Sequence, residues 1–206
     1  EDNDTVSITI NSVDDPPIVQ GVVAAISYTE NGAPMVVDAG LQVTDVDSPL
    51  LSGATVRILN FDAGDRLAFS SFGGITGSYV PATGILTLSG NAAAADYQLV
   101  FRSITYVNLG DDPSTLQRTI RFQATDDTGV QSAAADVFVN ITAVNDRPVI
   151  APIANVEVNQ NGAIPVIQVT LSDLDTILNN ITLVATSDTQ GVIPDGNIIV
   201  GLSLIH

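Results

Sequence analysis

The chain has 206 residues, 45% of them hydrophobic and 14% charged, and its 20 Asp, 3 Glu, 6 Arg and absence of Lys give a formal charge of −17. That charge makes nucleic acid and anionic membrane surfaces poor partners and divalent cations good ones. There is no Cys, so disulfides and thiolate metal sites are excluded, and no apolar run reaches the roughly 18 residues of a membrane span.

Taken in chain order, the predicted elements are strands. Thr5-Val6-Ser7-Ile8-Thr9-Ile10 alternates apolar and polar residues, the pattern of a half-buried strand. Ser12-Val13-Asp14-Asp15-Pro16-Pro17-Ile18 follows as an acidic linker, stiffened by its paired prolines. Further strands are predicted at residues 22–28, 54–60, 66–70, 85–89, 103–107 and 119–124. Val137, Val139 and Ile141 mark one more, facing inward. Turn clusters separate them: Asn31-Gly32, Ala63-Gly64-Asp65, Ala82-Thr83-Gly84, Gly110-Asp111-Asp112-Pro113 and Asp126-Asp127-Thr128-Gly129. One stretch, Asn91 to Gln98, has helical composition and predicts a short helix over about 93–101, capped by Asn91. Strands at 164–171 and 181–185 complete the set. Many short strands with regular turn signals imply an all-β fold, an antiparallel β-sandwich.

The pattern then repeats. Ala143-Val144-Asn145-Asp146-Arg147-Pro148-Val149 echoes the first linker 131 residues on, and Gln160-Asn161-Gly162-Ala163 echoes Glu30-Asn31-Gly32-Ala33. Asp173-Leu174-Asp175 likewise echoes Asp45-Val46-Asp47. A period this long implies whole domains in tandem. Residues 1–15 then read as the last strand and linker of a preceding repeat, 16–146 as a complete sandwich, and 147–206 as the first part of a following, truncated repeat. The short proline-stiffened joint suits a rod better than a flexible tether. With no initiator Met, signal or stop-transfer segment, the chain reads as a piece of something longer, any signal or anchor lying outside it.

Carboxylates recur at the joints. A single Asp in a turn most often bonds its own backbone. Several brought together are either spread apart by the fold or neutralised by metal, because like charges repel at short range. Calcium takes six to eight oxygen ligands at about 2.3–2.6 Å, and an Asp-x-Asp lets two side chains converge where the backbone turns.

These motifs resemble cadherin-like domains, of the kind repeated in giant bacterial surface and secreted adhesins. The resemblance is carried by Glu30-Asn31, Thr44-Asp45-Val46-Asp47-Ser48, Ala124-Thr125-Asp126-Asp127-Thr128-Gly129 and Val144-Asn145-Asp146-Arg147-Pro148. Gly74-Ile75-Thr76-Gly77-Ser78-Tyr79 followed by Gly84-Ile85-Leu86-Thr87-Leu88-Ser89-Gly90 resembles the bacterial version. It implies a cadherin- or immunoglobulin-like sandwich with calcium at the joints. Asp14, Asp15, Asp45, Asp47 and Asp126 would serve the first joint. Asp146, Asp173 and Asp175, with Asn145 and with Glu30 from the far end of the preceding module, would serve the second. Two features depart from the cadherin pattern: there is no Asp-Arg-Glu segment, and the linker is one residue short. Fewer ions per joint, one for instance, are then expected, and Gln160 in place of Glu30 weakens the joint after it.

Catalysis finds little support. The single His is the terminal residue, His206, so no Ser-His system is available, and there is no phosphate loop or HExxH motif. The chain therefore reads as a non-enzyme, a calcium-stiffened repeat of an extracellular, cell-surface adhesin stalk. Its partners are neighbouring repeats, with a surface glycan or protein receptor bound by other parts of the full-length protein and no insertion of this segment into a membrane. The other reading is a carbohydrate- or protein-binding β-sandwich module of a secreted protein, which predicts an exposed aromatic or polar patch. Asn3, Asn140 and Asn180 stand in N-glycan acceptor triplets, accidental ones if the source is bacterial.

Overall fold

The computed structural model describes residues 5–11, 13–22, 25–175 and 180–201. It divides into two compact units, Glu1–Val144 and Asn145–His206.

The first unit is an all-β sandwich with one helix. Its strands are β1 (Ile18–Gln20), β2 (Ala25–Thr29), β3 (Met35–Val36), β4 (Gln42–Thr44), β5 (Leu51–Ile58) and β6 (Asp65–Ala68). After these come β7 (Thr76–Val80), β8 (Ile85–Ala92), helix α1 (Ala94–Arg102), β9 (Thr105–Asn108), β10 (Arg118–Asp126) and β11 (Ala135–Thr142). Six strands form one sheet in the order β2-β11-β10-β5-β8-β7, and β3-β9-β6 form the opposing sheet. A two-stranded ribbon, β1-β4, completes the unit. All pairings are antiparallel except β2 with β11. That parallel pair is where the first long strand returns beside the last, and it departs from a wholly antiparallel expectation.

Burial follows alternation. β10 alternates buried and half-buried residues along its whole length, and Val137, Val139 and Ile141 of β11 point inward as predicted. Against them lie Val56, Ile58, Leu86 and Leu88 from the same sheet and Leu67 and Tyr106 from the other. The aromatic pairs pack edge to face, Tyr28 on Tyr106 at 5.4 Å and Phe101 on Phe122 at 5.3 Å between ring centroids. That geometry puts ring edge on ring face, where aromatic quadrupoles attract.

Helix α1 forms where its composition placed it, burying Tyr97, Val100 and Phe101, an i, i+3, i+4 stripe. Its cap differs from expectation. Ala93 holds the cap position with no side-chain bond, because β8 runs through Asn91 to Ala92 and so takes Asn91 into the sheet. Asp96 in the first turn and Arg102 in the last complement the helix dipole.

The two sheets are joined by a buried polar cluster. Asp65 of β6, fully buried, accepts from Arg118 Nε of β10 at 2.7 Å and from Asn108 Nδ2 at 2.7 Å. The Tyr106 hydroxyl also donates to it. Arg118 is itself buried and reaches a second carboxylate, Asp62, at 3.3 Å. Burial, reinforced by that bond to Asp65, raises the Tyr106 phenol far above its ordinary value.

Three strand predictions are corrected. Residues 5–11 form no strand, and Val6, Ile8 and Ile10 are 81–89% exposed. Residues 181–185 also form none, and of 164–171 only Leu171 is paired. Alternation favours a strand, but the backbone gains its bonds only from a partner; among the described residues, 5–11 and 181–185 have no partner strand, and 164–171 meets one only at its end, Thr170 and Leu171. Among its described residues the second unit has a short ribbon, β12 (Val149–Ile150) with β13 (Leu171–Ser172), and a 3-10 turn at Asp195–Asn197.

Removing Arg118 would take from the buried Asp65 its cationic partner, leaving it the neutral donors Tyr106 and Asn108. We expect Arg118→Met to cost about 3–5 kcal/mol in urea unfolding, as for a broken buried ion pair. Arg118→Met/Asp65→Asn should recover a substantial part of that loss; a double variant as unstable as the sum of the singles would refute direct coupling.

Candidate metal site

The predicted ligands of the first joint gather at one end of the sandwich. Asp14 and Asp15 come from the linker, and Asp45 and Asp47 from the loop after β4. Asp126 lies at the end of β10 itself, where a turn was expected. A bulge at Ser52 of β5 sits opposite it, and the Ser52 hydroxyl donates to the Asp126 carbonyl. Bulges of this kind end regular pairing beside a site.

The hydrogen bonds order these residues from the inside out. Asp126 is fully buried, and its Oδ1 accepts from Val130 N–H at 2.8 Å and from Thr128 N–H at 2.9 Å. Burial alone would raise its carboxyl, but bonds from the N–H groups of Val130, Gly129 and Thr128 and from the Thr128 hydroxyl bring it below the ordinary value. Thr128 Oγ1 lies 2.9 Å from Asp126 Oδ1 and 2.7 Å from Asp14 Oδ2. A hydroxyl has one hydrogen, so this group can satisfy only one of those carboxylates at a time. Asp45 Oδ1 accepts from the N–H groups of Asp47 and Ser48 at 3.2 and 2.9 Å. Asp47 Oδ2 accepts from Asp15 N–H at 3.1 Å, fastening the linker to the loop.

Two oxygens are left over. Asp126 Oδ2 and Asp45 Oδ2 are buried without any hydrogen-bond partner. Among the described residues the ion pairs of Asp62, Asp65 and Asp136 take up Arg118 and Arg121, and none reaches these five acids. No three of the five carboxylates bring an oxygen within 4.8 Å of one another, the widest separation two ligands at 2.4 Å from one ion can have. They are linked through hydroxyl and N–H donors instead.

The residues predicted for the second joint fall in both units, and each unit shows its own part. In the first, Glu30 is buried at the end of β2 and its Oε2 accepts from Val144 N–H at 2.7 Å, while Oε1 is buried without a partner. Asp111, read from sequence as a turn residue only, brings a carboxylate oxygen within 4.8 Å of one of Glu30's. In the second unit Asp146 N–H donates to Asp175 Oδ2, and Asp175 N–H donates to Asp173 Oδ1 at 3.1 Å. The Asn145 side-chain amide donates to the Asp146 carbonyl.

Those bonds match the first unit bond for bond. Asp15 to Asp47 to Asp45 corresponds to Asp146 to Asp175 to Asp173. The flanking ribbons share a register, Ile18 opposite Thr44 and Val149 opposite Ser172. Asn31 and Asn161 both take the left-handed conformation, with φ of 59° and 65°. The glycine after each donates to the carbonyl three residues back, Gly32 to Thr29 and Gly162 to Asn159. A Cβ there would stand 2.7 or 2.9 Å from that same oxygen, which is why glycine occupies both places.

No family model matches the chain, so the cadherin-like resemblance rests on the quoted motifs. A stretch of 117 residues is 40% identical to Halomucin of Haloquadratum walsbyi; it covers 53% of this chain and 1% of that protein. Among solved structures, the GspB Siglec domain aligns over 64% of this chain and 60% of its own at a TM-score of 0.37 and 11% identity, a likeness too loose to bear on function. No helix among the described residues is long and apolar enough to cross a membrane.

Acid should weaken this fold by a legible route. The Asp62 carboxyl is held low chiefly by the Ser114 N–H, and that of Asp136 chiefly by its bond from Arg121; Asp126 is lowered as well. Groups lowered on folding contribute stability that is complete above the unfolded value of about 3.9 and is lost as pH falls through the folded one. In about 0.5 M salt, which screens the general repulsion, the melting temperature should hold from pH 7 to about 5 and drop below about 4. Asp62→Asn/Asp136→Asn should flatten that acid limb.

Proposed function

We propose that this chain is a calcium-stiffened structural segment of an extracellular adhesin stalk, built from tandem modules whose acidic linkers are fastened by metal. The observation that carries the reading is the division among the aspartates. Asp62, Asp65 and Asp136 have arginine partners, whereas Asp14, Asp15, Asp45, Asp47 and Asp126 have none and share too few donors. The donor set is entirely oxygen, which suits calcium and not zinc or copper. Asp126 and Asp45 would supply their buried, unpartnered oxygens, and the exposed Asp14 and Asp47 side chains would swing in.

The matching bonds in the second unit support a second site of the same kind around Asp146, Asp173 and Asp175, with Asn145 contributing an oxygen. The match to a small fraction of Halomucin supports membership of a much longer protein, and we place that protein at the cell surface. In this reading the segment is mechanical and non-catalytic, and any receptor is bound elsewhere in the full-length protein.

Calcium that binds only the folded state stabilises it by mass action, about 2.7 kcal/mol per site at a hundredfold excess over Kd. Melting and small-angle scattering, with calcium or with chelator, read stability and length together. We expect calcium to raise the melting temperature and extend the particle. Asp45→Ala/Asp47→Ala should lose the share of the response that the first site supplies. Identical melting and length in both conditions would reduce the acidic clusters to ordinary turns.

A further inference from the structure

The outer face of the six-stranded sheet carries an arrangement that the calcium reading does not use. Asp136 of β11, Arg121 of β10, Arg57 of β5 and Ile85 of β8 stand opposite one another in a single row. Arg121 grips Asp136 through two bonds of 2.8 Å. Arg57, its neighbour on the other side, is exposed and makes no ion pair or side-chain hydrogen bond among the described residues. The row therefore reads minus, plus, plus, and continues into two aliphatic side chains, Ile85 and Val80 of β7.

Two like charges directly opposite each other destabilise an antiparallel pair. Asp136 offsets that cost for Arg121 alone. The chain has six Arg and no Lys against 23 acids, so two of its few cations side by side on one face are a marked local excess. An anion seated over Arg57 would complete the alternation that Asp136 begins.

The space for it is present. Thr55, Arg57, Leu59, Ile85, Arg121 and Gln123 line a shallow groove of about 240 Å³, below the roughly 300–1,000 Å³ of pockets for drug-sized ligands. That is room for one sugar ring. Arg57 offers a planar fork that matches a carboxylate. Thr55 offers a hydroxyl for ring hydroxyls and Gln123, whose amide nitrogen is held by Gln131 and Ser132, offers its oxygen, while Ile85 and Leu59 offer aliphatic surface for the ring's C–H face. A polyanion would be repelled by a chain of charge −17, whereas a single carboxylate on an otherwise neutral ring pays little of that cost.

We infer that this groove is a binding site for a carboxylate-bearing sugar, the carboxylate on Arg57 with Arg121 beside it. The site is independent of the acidic clusters and of calcium.

The test is a titration of the isotopically labelled chain by nuclear magnetic resonance. Methyl glycosides of glucuronic, galacturonic and N-acetylneuraminic acids are compared with those of glucose and galactose. At least one acidic sugar should shift the amides of Thr55, Arg57, Arg121 and Gln123, with the neutral sugars leaving them in place. Arg57→Gln, an exposed change that keeps the wild-type melting temperature, should weaken binding tenfold or more, and Arg121→Gln should weaken it as well. The inference is overturned if no acidic sugar moves these amides, if neutral sugars move them equally, or if Arg57→Gln binds as tightly as wild type. An Asp-rich peptide shifting the same amides as strongly would also overturn it, making the groove a dock for acidic protein segments.

Discussion

The inward row of β10 is the constraint on which the rest of the first unit depends. It runs Arg118, Ile120, Phe122, Ala124, Asp126, every member buried. The middle three are core. At one end a buried cation draws Asp65 and Asp62 to it, and that attraction sets the distance and register between the two sheets. At the other end a buried anion draws in donors from the following loop, and through Thr128 it reaches the linker at Asp14. One strand thus fixes the core, the sheet-to-sheet clamp and the acidic end of the module.

The two ends are solved differently because their partners differ. Arg118 meets full charges: a guanidinium fork fits carboxylates, and two of them nearly surround it. Asp126 meets only dipoles. N–H groups and one hydroxyl saturate Oδ1 and leave Oδ2 unmet. A buried polar atom without a partner carries a standing cost. The fold bears that cost where its linker enters, beside the carboxylates of Asp14, Asp15, Asp45 and Asp47.

How much of this could be read in the sequence depended on how local each feature is. The sheet strands with strict alternation, the turns marked by Gly and Asn, the helix of Ala93 onward and the equivalence of Asp45-x-Asp47 with Asp173-x-Asp175 are short-range patterns. The brief strands β1, β3, β4 and β7 left no such pattern, since two to five residues hold too little alternation and β7 is rich in Gly and Ser. Residues 5–11 show the converse: the pattern is present, and among the described residues no strand pairs with it. The clamp of Asp65 and Arg118 joins positions 53 apart, and Asp65 reads in isolation as part of the Ala63-Gly64-Asp65 turn. Asp111 was likewise placed in a turn, and only the fold brings it to Glu30.

Two kinds of charge stand apart on a chain that has six Arg and no Lys. Arginine is spent where geometry is exacting: Arg118 between the sheets, Arg121 on Asp136, Arg102 on the Leu41 carbonyl, Arg66 on the carbonyls of Ala63 and Asp65. Carboxylates fixed in that way need nothing further from solution. Those at the linker, bonded only to hydroxyls and N–H groups, keep unmet acceptor capacity, and Arg57 keeps unmet donor capacity on the opposite kind of surface. Unmet capacity at fixed places is what allows a fold to respond to its surroundings. Here the acidic share lies at the end of the sandwich where the linker meets the module, and the basic share on the open face of the sheet.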